Sequence, residues 1–180
     1  IGMLNKTSMN GAVIQMVSHG LMTALFFAAI GMIYSRTHTR MVAQLGGLLK
    51  VMPFISTVFV IAGLCSLGLP GFSGFVAEMT VFMGSWQNPD GVYRIATVIS
   101  AASIVVTAVY ILRATGRTIM GPISDEHALL GDATWNEKFA PGLLIVGILI
   151  IGLAPFLINQ LIMPSTEFLM ININKAITLK

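Results

Sequence analysis

The stretch GLPGFSGFVAEMTVFMGSW (Gly68–Trp86) holds one carboxylate, Glu78, among apolar and small residues. The nearest charged residues are Lys50 before it and Asp90 after it. Ahead of the acid, Gly68, Pro70, Gly71 and Gly74 cluster, a combination that interrupts a helix. The segment that follows, Phe72–Trp86, is short for a full membrane crossing, which takes about 20 residues. Irregular backbone at membrane depth is tolerated only inside protein or beside a wet cavity. A lone acid beside broken backbone therefore needs a reason to be there.

The rest of the chain supplies the setting. Its 180 residues are 56% hydrophobic and 9% charged, with mean hydropathy +0.87. Soluble domains carry roughly 25% charged residues, so this chain is too poor in charge to cover a surface in water. Counting His as neutral, Thr7–Ser35, Val51–Ala77, Ile95–Leu112 and Phe139–Thr166 contain no charge. Each reaches the length of about 18 residues that marks a membrane helix. The expected fold is an all-α integral membrane protein with about five transmembrane segments, at 10–34, 52–69, 72–86, 92–116 and 140–163. The third is short or discontinuous, and 1–180 form one membrane domain.

Several function classes fall away. The net charge of +3 is scattered, with no basic stripe, so no nucleic-acid partner is expected. Cys65 is the single cysteine, which rules out a disulfide within the chain and reads as a packing residue. There is no nucleotide loop, metal-ligand spacing, hydrolase triad or haem motif. The first residues show no basic n-region, and the chain reads as an internal or C-terminal piece of a longer protein.

Helix one is expected to start at a cap on Asn10. Helix two carries Pro53 in its first turn, where a missing N–H costs little. Helix four aligns Thr97, Ser100, Ser103, Thr107 and Tyr110 on one face, which is expected to point inward, toward other helices or a wetted path. Arg113 near its end reads as an interfacial anchor. RTIMGPISDEHALLGDATWNEK (Arg117–Lys138) reads as a solvated loop. Its Asp125, Glu126 and His127 are adjacent and do not converge on a metal. Helix five is apolar on every side and is expected at the periphery. If every segment crosses, loops 35–51 and 88–94 lie on one side, and the basic residues give no clear orientation.

Glu78 is the sharpest candidate for chemistry. A charge at the bilayer centre costs about 2.5–3.5 kcal/mol on insertion scales, so ionisable residues there mark function by default. The structural alternative is a carboxyl that braces unwound backbone near Pro70–Gly74. His19 lies near mid-depth of helix one and shares a face with Gln15 and Thr23. The unperturbed pKa of histidine, about 6.5, suits proton exchange near neutral pH. His38 and Lys50 sit at helix ends and are weaker candidates for a proton file. No residue set suggests a metal.

The segments GAVIQMVSHGLMTALFFAAIGMIYSRTHTR (Gly11–Arg40) and GLPGFSGFVAEMTVFMGSW carry the patterns QM-x-x-HG and LPGF-x-x-F-x-x-E. They resemble the Mrp-antiporter-like membrane subunits of proton-pumping NADH–quinone oxidoreductase, respiratory complex I, in the M-type branch. The match covers Gly11 to about Met120 and more loosely the rest. The resemblance implies a longer fold of inverted helix repeats, of which this chain supplies the second repeat and the last helix, with the discontinuous helix at 72–86. It implies that Glu78 exchanges protons with one aqueous face and that His19 belongs to a central polar axis. It implies no cofactor in this chain, with NADH, FMN, iron–sulfur clusters and quinone in partner subunits. The implied partners are the other membrane-arm subunits, sister antiporter-like subunits among them, and the lipid bilayer. The implied location is the bacterial inner membrane. The family's first-half glutamate and lysine, central lysine and further axis histidine have no counterpart in these residues. The alternatives are an Mrp-type cation/proton antiporter, a membrane-hydrogenase subunit, or a non-conducting scaffold.

Overall fold

The computed structural model describes residues 5–178. Six α-helices follow one another: α1 (Lys6–Thr37), α2 (Pro53–Ser66), α3 (Ser73–Trp86), α4 (Gly91–Ile119), α5 (Trp135–Leu153) and α6 (Pro155–Thr178). Short 3-10 turns occupy the loops. Helices α1, α4, α5 and the first part of α6 are long and apolar enough to cross a membrane. The described residues form an all-helical membrane protein in which two passes are interrupted, one at the expected break before α3 and one at Ala154.

α1 is the continuous spine, 32 residues without a break. Its N-cap is Asn5, whose Oδ1 accepts the Ser8 N–H at 2.8 Å. Asn10, the expected cap, instead donates to Asn159 Oδ1 at 2.6 Å. The helix ends at His38, a left-handed C-cap whose N–H donates to Tyr34 O.

α2 and α3 run in series along α1 in the opposite sense. Ile55 shares a buried cluster with Met32 and Ile33, and Cys65 shares another with Leu25 and Ala29. Further on, Ser73 meets Ser18, Ala77 clusters with Ile14, and Asn5 donates to Gly84 O. Each of the two helices has 14 residues, about 21 Å long at 1.5 Å per residue. Neither crosses a 30 Å hydrocarbon core alone, so they act as two halves of one pass. Loops 38–52 and 87–90 thus lie at opposite ends of the bundle, unlike the arrangement in which every segment crosses.

α5 and α6 follow α1 in the same antiparallel way, from Glu137 beside Arg36 to Glu167 beside Lys6. The expected helix 140–163 divides at Ala154. The next residue, Pro155, lacks an N–H and pushes its predecessor out of helical geometry (φ −127°, ψ 59°).

Two positions are exchanged relative to expectation. In this chain α4 touches α2 and α3 and leaves most of its length exposed; of its hydroxyl stripe only Thr97 is buried. The reason is local. Ser103 and Thr107 bond to carbonyls of their own helix and so need no partner, whereas Thr97 donates to Ser85 Oγ of α3 at 2.6 Å. α5, expected outside, packs on α1 and α3 through Pro141, Ile148 and Ile151. In lipid, close packing holds helices together rather than apolar burial as such.

Candidate functional site

The break between α2 and α3 is built by its backbone. Leu67 ends α2, Gly68 turns left-handed (φ +61°), Pro70 blocks helix continuation, and Gly71 is again positive (φ +97°). α3 resumes at Ser73, with Phe72 as an N-cap that forms no side-chain bond. The break lies level with Ser18 of α1, roughly 18 Å from one end of that helix and 28 Å from the other.

Glu78 is half-buried, and its carboxyl lies directly over Gly68, so closely that a Cβ there would collide with Oε2. The acid thus faces the broken backbone from one turn inside α3. The ion pairs Lys6–Glu167 and Arg36–Glu137 lie far from it, at the two ends of α1.

Three polar side chains seal the floor of the break. Ser73 Oγ is 2.7 Å from Ser18 Oγ and 3.6 Å from Cys65 Sγ. Ser73 is 0% exposed, and Ser18 and Cys65 are each 2% exposed. Cys65 packs as expected, but beside a hydroxyl. From the other side α5 closes in: Gly152 presses on the carbonyl of Gly71 without room for a Cβ. The break in α2–α3 and the break after α5 therefore meet.

The other candidates are not gathered here. His19 is exposed on α1; its sequence neighbour Ser18 is the residue that faces α3. On the helix face of His19, Gln15 Oε1 and Thr23 Oγ1 are enclosed without hydrogen-bond partners among the described residues. His38 is exposed at the C-cap, about 28 Å along α1 from His19. Lys50 is exposed in the turn before α2.

The 117–138 segment is more than a solvated loop. Asp132 caps α2, accepting the N–H groups of Phe54 at 2.8 Å and Ile55 at 3.2 Å. Arg36 donates to the carbonyls of Gly131 and Asp132 and, through Nη2 at 2.7 Å, to Glu137. His127 is buried, with Nδ1 3.0 Å from Ser124 Oγ. Neither Asp132 nor the hydroxyl pair was legible in sequence, because each contacts a residue more than fifty positions away.

With this geometry in view, the comparisons can be stated. Residues 1–103 match the family described as "NADH:quinone oxidoreductase/Mrp antiporter, TM". NAD(P)H-quinone oxidoreductase chain 4 1 of Synechococcus elongatus is 37% identical over 163 residues, covering 89% of this chain and 31% of the relative. NAD(P)H-quinone oxidoreductase chain 4 of Acaryochloris marina is 39% identical over 167 residues, covering 89% of this chain and 31% of the relative. The chain spans about a third of the length of these curated relatives. Among solved structures, respiratory complex I from Thermus thermophilus with bound NADH contains a chain of similar fold (TM-score 0.81, 23% identity, 92% of this chain and 34% of that one). The Mrp complex from Dietzia sp. DQ12-45-1b contains another (TM-score 0.78, 20% identity, 91% and 38%).

Proposed function

The chain belongs to the NADH:quinone oxidoreductase/Mrp antiporter family of membrane subunits, and on that premise we propose that it forms part of a proton-translocating subunit in the membrane arm of an NADH–quinone oxidoreductase. The position of the Glu78 carboxyl supports this: it sits over Gly68, inside the bundle, where the helix is interrupted. An ionisable side chain within a membrane bundle is costly to keep there and marks a proton or ion path by default.

In this function Glu78 exchanges protons with one aqueous face and His19 passes them sideways. An imidazole exposed on a membrane helix needs protein or water as cover, which neighbouring membrane-arm protein provides. His38 and Lys50 have minor parts at most, at the aqueous ends. Electron transfer from NADH through FMN and iron–sulfur clusters to quinone takes place in partner subunits; the curated relatives' names give the donor as NAD(P)H. The chain's own residues hold and move protons, and its partners are the other membrane-arm subunits, sister antiporter-like subunits and lipid.

The test is Glu78→Gln in the intact complex, reconstituted in sealed vesicles. Translocation is expected to fall by at least about tenfold, in the range for loss of a positioned proton-transfer group. Unchanged translocation removes Glu78 from the path. A cation/proton antiporter, or a membrane-hydrogenase subunit of the same fold, is the second reading, favoured by the family's inclusion of Mrp antiporters; a strict sodium requirement would select the antiporter. Undiminished flux in a Glu78→Gln, His19→Ala double variant would select a non-conducting scaffold.

A further inference from the structure

We propose that the Ser18–Ser73 hydroxyl pair is the positioning element that sets Glu78 against the broken backbone; the proposal rests on the proton-translocating function above. Ser73 is the first residue of α3, and α3 has no side-chain cap at Phe72. At its start the side-chain hydrogen bonds come from Ser73, while Asn5 holds its far end through Gly84 O. The Ser73 hydroxyl lies 2.7 Å from Ser18 Oγ on the continuous helix α1 and 3.6 Å from Cys65 Sγ at the end of α2. A serine hydroxyl has one proton and two lone pairs, so Ser73 can engage both neighbours at once, as donor to one or as acceptor from both. Three helices are tied at one fully buried point.

The tied ends are the two between which the acid sits. Glu78 is five residues beyond Ser73 on the same rigid helix, about 7.5 Å along its axis. Gly68, which the carboxyl covers, is three residues beyond Cys65. Sliding or rotating α3 by a fraction of a turn would carry the carboxyl off Gly68. Apolar contacts resist such sliding weakly in lipid, where the alternative environment is equally apolar. A directional hydrogen bond to an uninterrupted helix resists it well, because breaking it strands two buried hydroxyls.

The pair acts through Glu78 and touches no transferred proton itself, so its loss should lower coupling rather than assembly. Protons translocated per NADH oxidised are measured in sealed vesicles holding the intact complex, for Ser18→Ala, Ser73→Ala, the double variant and Ser73→Cys. Each single alanine variant should lower the ratio, by no more than the loss that Glu78→Gln causes in the same vesicles. The double variant should be no worse than either single, since both remove the same contact. Ser73→Cys, which keeps a donor in place, should recover most of the ratio. A wild-type ratio in either alanine variant overturns the proposal, as do losses that multiply in the double variant, or a cysteine variant no better than alanine. Should Ser73→Ala fail to assemble, Ser18→Ala, lying within a continuous helix, decides alone. Glu78→Gln in the same vesicles separates the two levels: if it too leaves the ratio intact, Glu78 leaves the proton path and the positioning role falls with it. If it abolishes translocation while the serine variants do nothing, only the positioning role falls.

Discussion

Glu78 and Gly68 form a matched pair. The glycine has a left-handed backbone (φ +61°), and the space a side chain would fill is taken by the glutamate carboxyl. Gly68→Ala should lose about 1–2 kcal/mol from the left-handed conformation alone, and it displaces the acid as well. The thermal unfolding midpoint of the detergent-purified protein should fall, whereas Gly142→Ala, inside α5 with open space at its Cβ, should leave it unchanged or raise it, because alanine suits a helix interior better than glycine. A fall common to both would refute the pairing. The acid was visible in the sequence because an unpaired charge in an apolar run is costly and so rarely accidental. The serines were not, since hydroxyls are ordinary in membrane helices, and nothing local singles out Ser18 or Ser73. The exposure of His19 was also hidden: Gln15, His19 and Thr23 do share a helical face, but a face does not reveal what covers it.

At the scale of elements, the two ends of the α2–α3 pass are held by different means. The break end is held by glycine contacts and hydroxyls. The other end is held by Asp132, which caps α2 across a separation of 78 residues for its bond to Phe54. Asp132→Ala should cost about 1 kcal/mol, the usual value of an N-cap, and hydrogen exchange at the Phe54 and Ile55 amides should quicken while α3 stays protected. Equal quickening throughout α3 would contradict a local cap. Most element boundaries were legible from uncharged runs. The start of α5 was missed, expected at 140 and found at Trp135, although the T-x-x-E spacing of the Thr134–Glu137 capping box stands in the sequence. The division at Ala154 was signalled by Pro155, but proline is tolerated in membrane helices, and an all-round apolar run carries no periodicity to interrupt. α4 misled for the opposite reason: its hydroxyls align, yet they bond to their own backbone.

Across the described residues, one continuous helix is flanked by two interrupted passes whose interruptions touch. Gly152 of α5 sits on the carbonyl of Gly71, so the break beside Glu78 is packed from α1 on one side and from α5 on another. Gly152→Ala overpacks this contact and should cost about 1–3 kcal/mol, while Gly147→Ala, whose Cβ would meet only the Leu21 side chain at 3.6 Å, should be tolerated. Midpoints of thermal unfolding compare the two, and equal effects would show that the breaks are not in firm contact. This arrangement places one acid over the interrupted backbone, and the proposed function depends on that acid's ability to bind and release a proton. The most direct measurement is the proton-to-electron ratio of the intact complex with Glu78→Gln and Glu78→Asp side by side. The ratio should collapse with Gln, which cannot ionise, and survive in part with Asp, which can. A Gln complex that pumps as well as the native one would contradict the account.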